Sequence, residues 1–338
     1  MQSMRLFEQK QAEDHPLVLV DIPTPEIKTG QVLLKIQLCG VCHTDLHTVE
    51  GDIYPPHLPV IPGHQVVARV EKVGQLLDSW PNERPVPQQG QRVGVTWLFS
   101  SCDDCDFCER GLENLCPDAR FTGFDVDGGY AEYMAADSRY ILPLPDEISD
   151  EQAAPLLCAG IIGYRSLHQA DLQPGERLGL VGFGASAHLT IQVARHWGCE
   201  VYVFTRSEGH RKHAEELGAV WTGSIDDNPG VQLDRAVIFA PAGPLVPKTL
   251  GKLRPAGTLA INAVHMSNIP EMPYDLIYGE RTLCSVANLT YQDGLEFLNL
   301  AVEIPLRSTT NLYPLDQANQ ALIDLKHSRL NGEAVLMV

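Results

Sequence analysis

The 338-residue sequence predicts an α/β protein in two parts, a β-rich domain and a doubly wound parallel sheet. Three observations predict it. In the first half, "GQVLLKIQLCG", "QVVARVEKVG", "GQRVGVTWLF" and "GGYAEYMAA" set short runs of branched apolar residues between glycines, as strands of a compact β domain do. In the second half, "ERLGLVGFG", "CEVYVFT", "LDRAVIFA" and "GTLAINAV" are near-continuous apolar runs. Strands covered on both faces read this way, and the helix-length segments "AHLTIQVARHWG" and "HRKHAEELGA" follow the first two. Third, "YPPHLPVIPGH" and "PNERPVPQQG" carry too much proline for helix interiors or central strands, so they are loops. The boundary is placed near residue 156. Residues 1–155 form the β-rich domain and 156–295 the parallel-sheet domain. Residues 296–338, ending in a helix and then a strand, return to complete the first.

Composition excludes several classes of partner. The hydrophobic share is 44% and the charged share 20%, as in ordinary globular proteins. Forty-three acidic against 25 basic residues give a formal charge of −18, which repels phosphate backbones and anionic membrane surfaces. Neither nucleic acid nor membrane is expected as a partner. "MQSMRLFEQKQAEDHPLVLV" has no uninterrupted apolar core of a signal peptide, and no run approaches the roughly 20 apolar residues of a span, so a cytoplasmic location is expected. Nine cysteines, an odd number, then read as metal ligands and free thiols rather than a disulfide framework.

"RLGLVGFGASAH" supplies a strand, a turn with Gly182, Gly184 and Ala187 in the G-x-G-x-x-G/A arrangement, and a helix. The first glycine allows the tight turn, the second lets backbone approach a pyrophosphate, and the small third residue lets helix meet strand. This is the fingerprint of a Rossmann dinucleotide site. The next strand ends at Thr205, 21 residues after Gly184, where a ribose-reading acid would stand. Here Thr205, Arg206 and Ser207 stand instead, with Arg211 one helical turn on. Hydroxyls and a guanidinium suit a 2′-phosphate, so NADP(H) is read over NAD(H); the plainer reading makes both arginines solvated surface charges.

"CDDCDFCERGLENLCP" places Cys102, Cys105, Cys108 and Cys116 at C-x2-C-x2-C-x7-C within a lobe at 100–117. Four thiolates this close can close one tetrahedral shell, which makes the ion structural. An iron–sulfur cluster is the rival, but the bacterial ferredoxin run has three residues before its last cysteine, not seven. Zinc is the reading. "CGVCHTDLH", residues 39–47, is less easily resolved, because Cys39 and Cys42 have the spacing of a redox pair or half a zinc site.

Taken in order, "CGVCHTDLH", "PVIPGHQVVARVEKVG", the cysteine lobe, "GGYAEY", "PLLCAGIIGYRSL" and "VGFGASAH" resemble the zinc-containing medium-chain alcohol dehydrogenases over most of the chain. The resemblance implies a GroES-like catalytic domain beside the Rossmann domain, and a catalytic zinc on Cys42, His64 and Cys158. Two thiolates and one imidazole leave a fourth position open, as catalytic zinc requires. Cys39 then reads as a small buried hydrophobe. The resemblance gives Thr44 and His47 the proton path, makes Asp45 the carboxylate orienting the metal-bound histidine, and turns His43 toward the pyrophosphate. It departs at Gln65, where the family commonly has glutamate, a group able to swing toward the metal.

The expected activity is interconversion of alcohols with aldehydes or ketones by hydride transfer, using two Zn2+ per chain and NADP(H). The expected assembly is a dimer or tetramer. Trp97, Phe99 and Tyr54 are expected as apolar pocket walls. The rivals are a zinc medium-chain reductase for sugars, polyols or cinnamyl-type aldehydes, and a non-catalytic cofactor-sensing protein.

Overall fold

The computed structural model describes all residues except 78, 79, 81–83, 305 and 331. Residues 81–83 of the second proline-rich loop therefore lie outside the described residues. The chain divides into two compact units. The first holds Met1–Cys158, Asn288–Val302 and Arg307–Val338, the second Ala159–Ala287 and Glu303–Leu306.

The first unit is built on a seven-stranded sheet among the described residues. Its long strand Gln31–Val41 turns Val32, Leu34 and Ile36 inward at period two, which is why this run is a strand and not a helix. It pairs antiparallel with Gln65–Val73 on one side and with Glu333–Met337 on the other, Ala334 opposite Val41 and Gln65 opposite Gly40. Tyr133–Asp137 pairs with its first half. The core is aliphatic around Val41, Val49, Ile61, Val66 and Leu336, with Tyr130 buried among them.

The second unit is a six-stranded parallel sheet in the order Trp221–Gly223, Glu200–Phe204, Arg177–Val181, Leu233–Ile238, Leu253–Ile261, Thr282–Ser285. Strand order reverses between Arg177–Val181 and Leu233–Ile238. That switch point is where such sheets bind ligands. The α/β reading, with a β-rich domain and a doubly wound sheet, therefore stands. Among the described residues, no helix is long and apolar enough to cross a membrane.

Between Asp150–Pro155, which is α-helical, and Ile161–Gln169, also α-helical, the backbone widens into a π turn over Leu156–Gly160. Pro155 lacks the N–H that would continue the α pattern, and the widened turn carries Cys158.

Candidate active site

Cys42 directly follows the strand Gln31–Val41 and caps the helix His43–Glu50. Its sulfur accepts from the Thr44 N–H at 3.3 Å, while Asp45 Oδ2 accepts from the Cys42 N–H at 2.9 Å. The second oxygen of Asp45 accepts from the Gly63 N–H at 3.1 Å and faces His64 Nδ1 at 3.3 Å, an ion-pair distance without hydrogen-bond angle. One buried carboxylate therefore ties both pieces of chain together. Gly63 is required here: its φ is +97°, and a Cβ would meet Tyr130 at 2.4 Å.

His64 Nε2 lies 3.3 Å from Cys42 Sγ, and the ligand atoms of Cys42, His64 and Cys158 all fall within 4.8 Å of one another. Cys158 and burial together push the Cys42 thiol well up, with His64 opposing. Burial disfavours a charged His64, but Cys42 and Asp45 outweigh it and push the imidazole up. Thiols crowded in an interior resist ionisation until a cation neutralises them. Two soft sulfurs and one imidazole nitrogen fit zinc and leave room for a fourth ligand. Cys39 is outside this group: it is fully buried and its thiol donates to the Gly40 carbonyl.

Cys102, Cys105, Cys108 and Cys116 form the second set, with ligand atoms again within 4.8 Å of one another. The Cys102–Cys116 and Cys105–Cys108 sulfur pairs are each 3.5 Å apart, and Ser101 Oγ accepts from Cys108 Sγ at 3.3 Å. Arg139 pairs with both Asp103 and Asp137, and Glu113 accepts from the Tyr291 N–H at 2.8 Å, fastening the lobe to its unit.

Of the proposed proton path, Thr44 is buried and its carbonyl accepts from Thr48. His43 and His47 have ring centroids 6.4 Å apart, and burial lowers the His43 imidazole. Trp97 stands edge-on to His64 with centroids at 4.9 Å, Phe99 is buried, and Tyr54 is 75% exposed.

In the second unit, Gly182 takes φ +91° against Ala240, Gly184 caps the helix Ala185–His196, and Ala187 is fully buried. Thr205 follows the next strand and its N–H donates to the Gly223 carbonyl. Ser207 caps Glu208–Glu216 by accepting from the His210 N–H, and Arg211 Nε folds back to donate to the Thr205 carbonyl at 3.0 Å. Arg206 is exposed. The fingerprint, Thr205 and both arginines are thus gathered at one end of one sheet.

The alcohol dehydrogenase GroES-like domain family matches residues 28–146. A probable alcohol dehydrogenase, AdhA, of Mycobacterium tuberculosis is 44% identical over 324 residues, covering 96% of this chain and 93% of the relative. The chain belongs to the zinc-containing medium-chain alcohol dehydrogenases. An alcohol dehydrogenase of Geobacillus stearothermophilus is 32% identical over 334 residues, 96% of each chain. Among solved structures, a cinnamyl alcohol dehydrogenase of Sorghum bicolor superposes with TM-score 0.88 at 26% identity, covering 99% of this chain and 97% of that one. The alcohol dehydrogenase of Aeropyrum pernix superposes with TM-score 0.87 at 28% identity over the whole of both chains. This alcohol dehydrogenase accordingly acts on a small-molecule substrate.

Sequence reasoning missed three features of the site. Asp52 Oδ2 lies 2.7 Å from His47 Nδ1, brought back by Gly51, whose φ of +86° ends the helix. That glycine was the available signal. Phe121 and Phe124 pack on Trp97, with centroids 5.3 and 5.7 Å away, and only the folded loop brings them there. Glu333, which nothing in the local sequence marks, is fully buried near His64 and Asp45; burial pushes its carboxyl up to about 8, against the Gln65 amide.

Proposed function

We propose that this alcohol dehydrogenase is zinc-dependent and prefers NADP(H), interconverting alcohols with aldehydes or ketones. The observation that carries the zinc reading is the convergence of Cys42, His64 and Cys158 into a three-donor set, one ligand short of a closed tetrahedral shell. These three would hold the catalytic zinc, and Cys102, Cys105, Cys108 and Cys116 the structural one. Bound there, zinc supplies Lewis-acid polarisation of the substrate oxygen, and the nicotinamide supplies or accepts the hydride.

The chain's own residues do the rest. Asp45 holds Cys42 and His64 in register. Thr44 Oγ1 takes up or returns the alcohol proton, and His47 exchanges it with solvent while Asp52 fixes its ring. Trp97, backed by Phe121 and Phe124, keeps water from that side. Gly182, Gly184 and Ala187 receive the pyrophosphate, with His43 as a further contact to it. Thr205, Ser207 and the Arg206 guanidinium bind the 2′-phosphate, with Arg211 tethered beside them. The assembly is a homo-oligomer, and the location cytoplasmic.

The test measures metal content and turnover together. Wild type should carry two zinc ions per chain. Cys158→Ser should carry one, lose almost all turnover with any alcohol or aldehyde, and keep its fold by circular dichroism. Unchanged metal content and rate would overturn the ligand assignment.

A further inference from the structure

Between the strand Gln2–Leu6 and the short 3-10 helix Ala12–Asp14, the chain runs along the end of the helix His43–Glu50. It gives a donor to each of three successive helix residues. Gln9 Nε2 donates to the Thr48 carbonyl at 2.6 Å, the Lys10 N–H to the Val49 carbonyl at 3.0 Å, and the Ala12 N–H to Glu50 Oε1 at 2.9 Å. Gln9 reaches further than the other two. Its amide has a second N–H, and this goes to the Ile53 carbonyl at 2.8 Å, beyond the turn that ends the helix.

The way the turn closes leaves room for that amide. The N–H groups of Gly51, Asp52 and Ile53 all donate to the His47 carbonyl, at 3.1, 3.0 and 3.4 Å. In a Schellman ending the glycine N–H would return to the Thr48 carbonyl. Here the Gln9 side chain takes that place. Its stem lies against Gly51, where a Cβ would stand 3.6 Å from Gln9 Cβ. Gln9 thus joins the backbone of Thr48 to that of Ile53, one residue out of phase with the side chains of His47 and Asp52, which meet across the same loop.

We infer that Gln9 is a positioning residue for the proton exit, holding the turn in the shape that sets Asp52 Oδ2 2.7 Å from His47 Nδ1. The inference rests on the role given to His47 above, and Gln9 touches no reacting atom. An exposed pair such as His47 and Asp52 returns no more free energy than it costs to order the backbone of a single residue. The turn orders several, one of them a glycine, whose loss of freedom is the largest. The pair therefore cannot shape its own loop. The half-buried Gln9 amide does so, and with Asp52 held in place the imidazole keeps its Nδ1 proton and leaves Nε2 to take up and release the travelling one.

The test uses the full-length, zinc-loaded protein and steady-state oxidation of a primary alcohol. Gln9→Met keeps the length of the side chain and removes both donors. It should lower kcat roughly three- to five-fold, the scale of one net hydrogen bond, with zinc content and KM unchanged. A hindered pyridine base, too crowded to bind metal, should restore most of that loss by taking the proton itself, and deuterium oxide should slow the variant more than wild type. A fastening with no part in proton transfer would show neither effect. Added to Asp52→Asn, Gln9→Met should lower kcat no further, because both act through one imidazole. Gln9→Glu turns acceptors toward two carbonyls, should lose at least as much, and carries the test should the methionine variant aggregate. Wild-type kcat in both variants, a loss that the base leaves unrestored, or a loss that adds in full to that of Asp52→Asn overturns the inference. Wild-type kcat in His47→Gln overturns the proton-path reading and this inference with it, and that variant alone tells the two failures apart.

Discussion

His47 Nδ1 donates to Asp52 Oδ2 at 2.7 Å, across the glycine turn that ends the His43–Glu50 helix. The imidazole is 18% exposed and the carboxylate 45%, so water reaches the pair and limits its strength. Its value lies in fixing which ring nitrogen carries the proton. Asp52→Asn is expected to lower kcat about five-fold, the scale of an exposed pair worth about 1 kcal/mol, with zinc content unchanged. Steady-state kinetics with a primary alcohol checks this. A variant matching wild type in kcat would mean that His47 needs no such anchor.

Loss of a lobe ligand should act on stability rather than on chemistry. Cys116 is buried and its sulfur lies 3.5 Å from that of Cys102. Cys116→Ser is expected to carry one zinc fewer and to melt at least about 5 °C lower, while kcat of the protein that remains folded stays near wild type. Differential scanning calorimetry with parallel metal analysis decides. A brown protein with a charge-transfer band would place iron in the lobe instead.

Under the proposed function, the end of the strand Glu200–Phe204 is expected to set cofactor preference. Thr205 puts no carboxylate against a 2′-phosphate, and charge-assisted hydrogen bonds from Arg206 and the hydroxyls are expected to favour NADPH by about one to two decades in kcat/KM. Thr205→Asp/Arg206→Ser should erase or invert this, mainly through KM, because the contact is remote from the hydride and equal in ground and transition states. Asp227 complicates the balance: Ser224 backbone and side chain, and then Arg211, hold its carboxyl below the usual range. A wild type preferring NADH would show that this second acid, not residue 205, governs the ribose end.

His188, on the helix Ala185–His196, gives the second unit an acid-sensitive point. Burial and then His213 lower its imidazole to about 4, against support from the Gly184 and Ala185 backbone. Folding therefore disfavours the charged form, and the unfolded chain binds the proton more readily. Stability is full above about pH 6.5 and falls as pH drops toward 4, by roughly 3 kcal/mol at most. Melting temperatures between pH 7 and 4.5 should fall less steeply in His188→Leu than in wild type. Parallel curves would assign the acid limb to other groups.

The legible parts of this protein are those whose causes are local. Period-two alternation over Gln31–Val41, the apolar runs of the parallel sheet and the Gly182, Gly184, Ala187 turn each depend on a handful of adjacent residues. The lobe cysteines could be grouped because they lie within 15 residues. Cys42, His64 and Cys158 are far apart in sequence, and only likeness to a family joined them before the fold did. Asp52 and Glu333 were missed for a stronger reason. A glycine turn aims the first and a strand pairing across the whole chain buries the second, so neither has a local pattern to read.

The pairing of Glu333–Met337 with Gln31–Val41 also sets an order for biosynthesis. Val41 leaves the ribosome nearly three hundred residues before Ala334, the residue it lies opposite. During that interval the second half of the central strand, around residues 38–41, keeps one edge open, with its backbone donors and acceptors unmatched, since Tyr133–Asp137 covers only the first half. Such an edge invites pairing with the same strand of a neighbouring nascent chain. Production of this enzyme should therefore be most vulnerable during elongation, and a chain stalled before its final strand should be a substrate for chaperones even though every cysteine ligand has already been made.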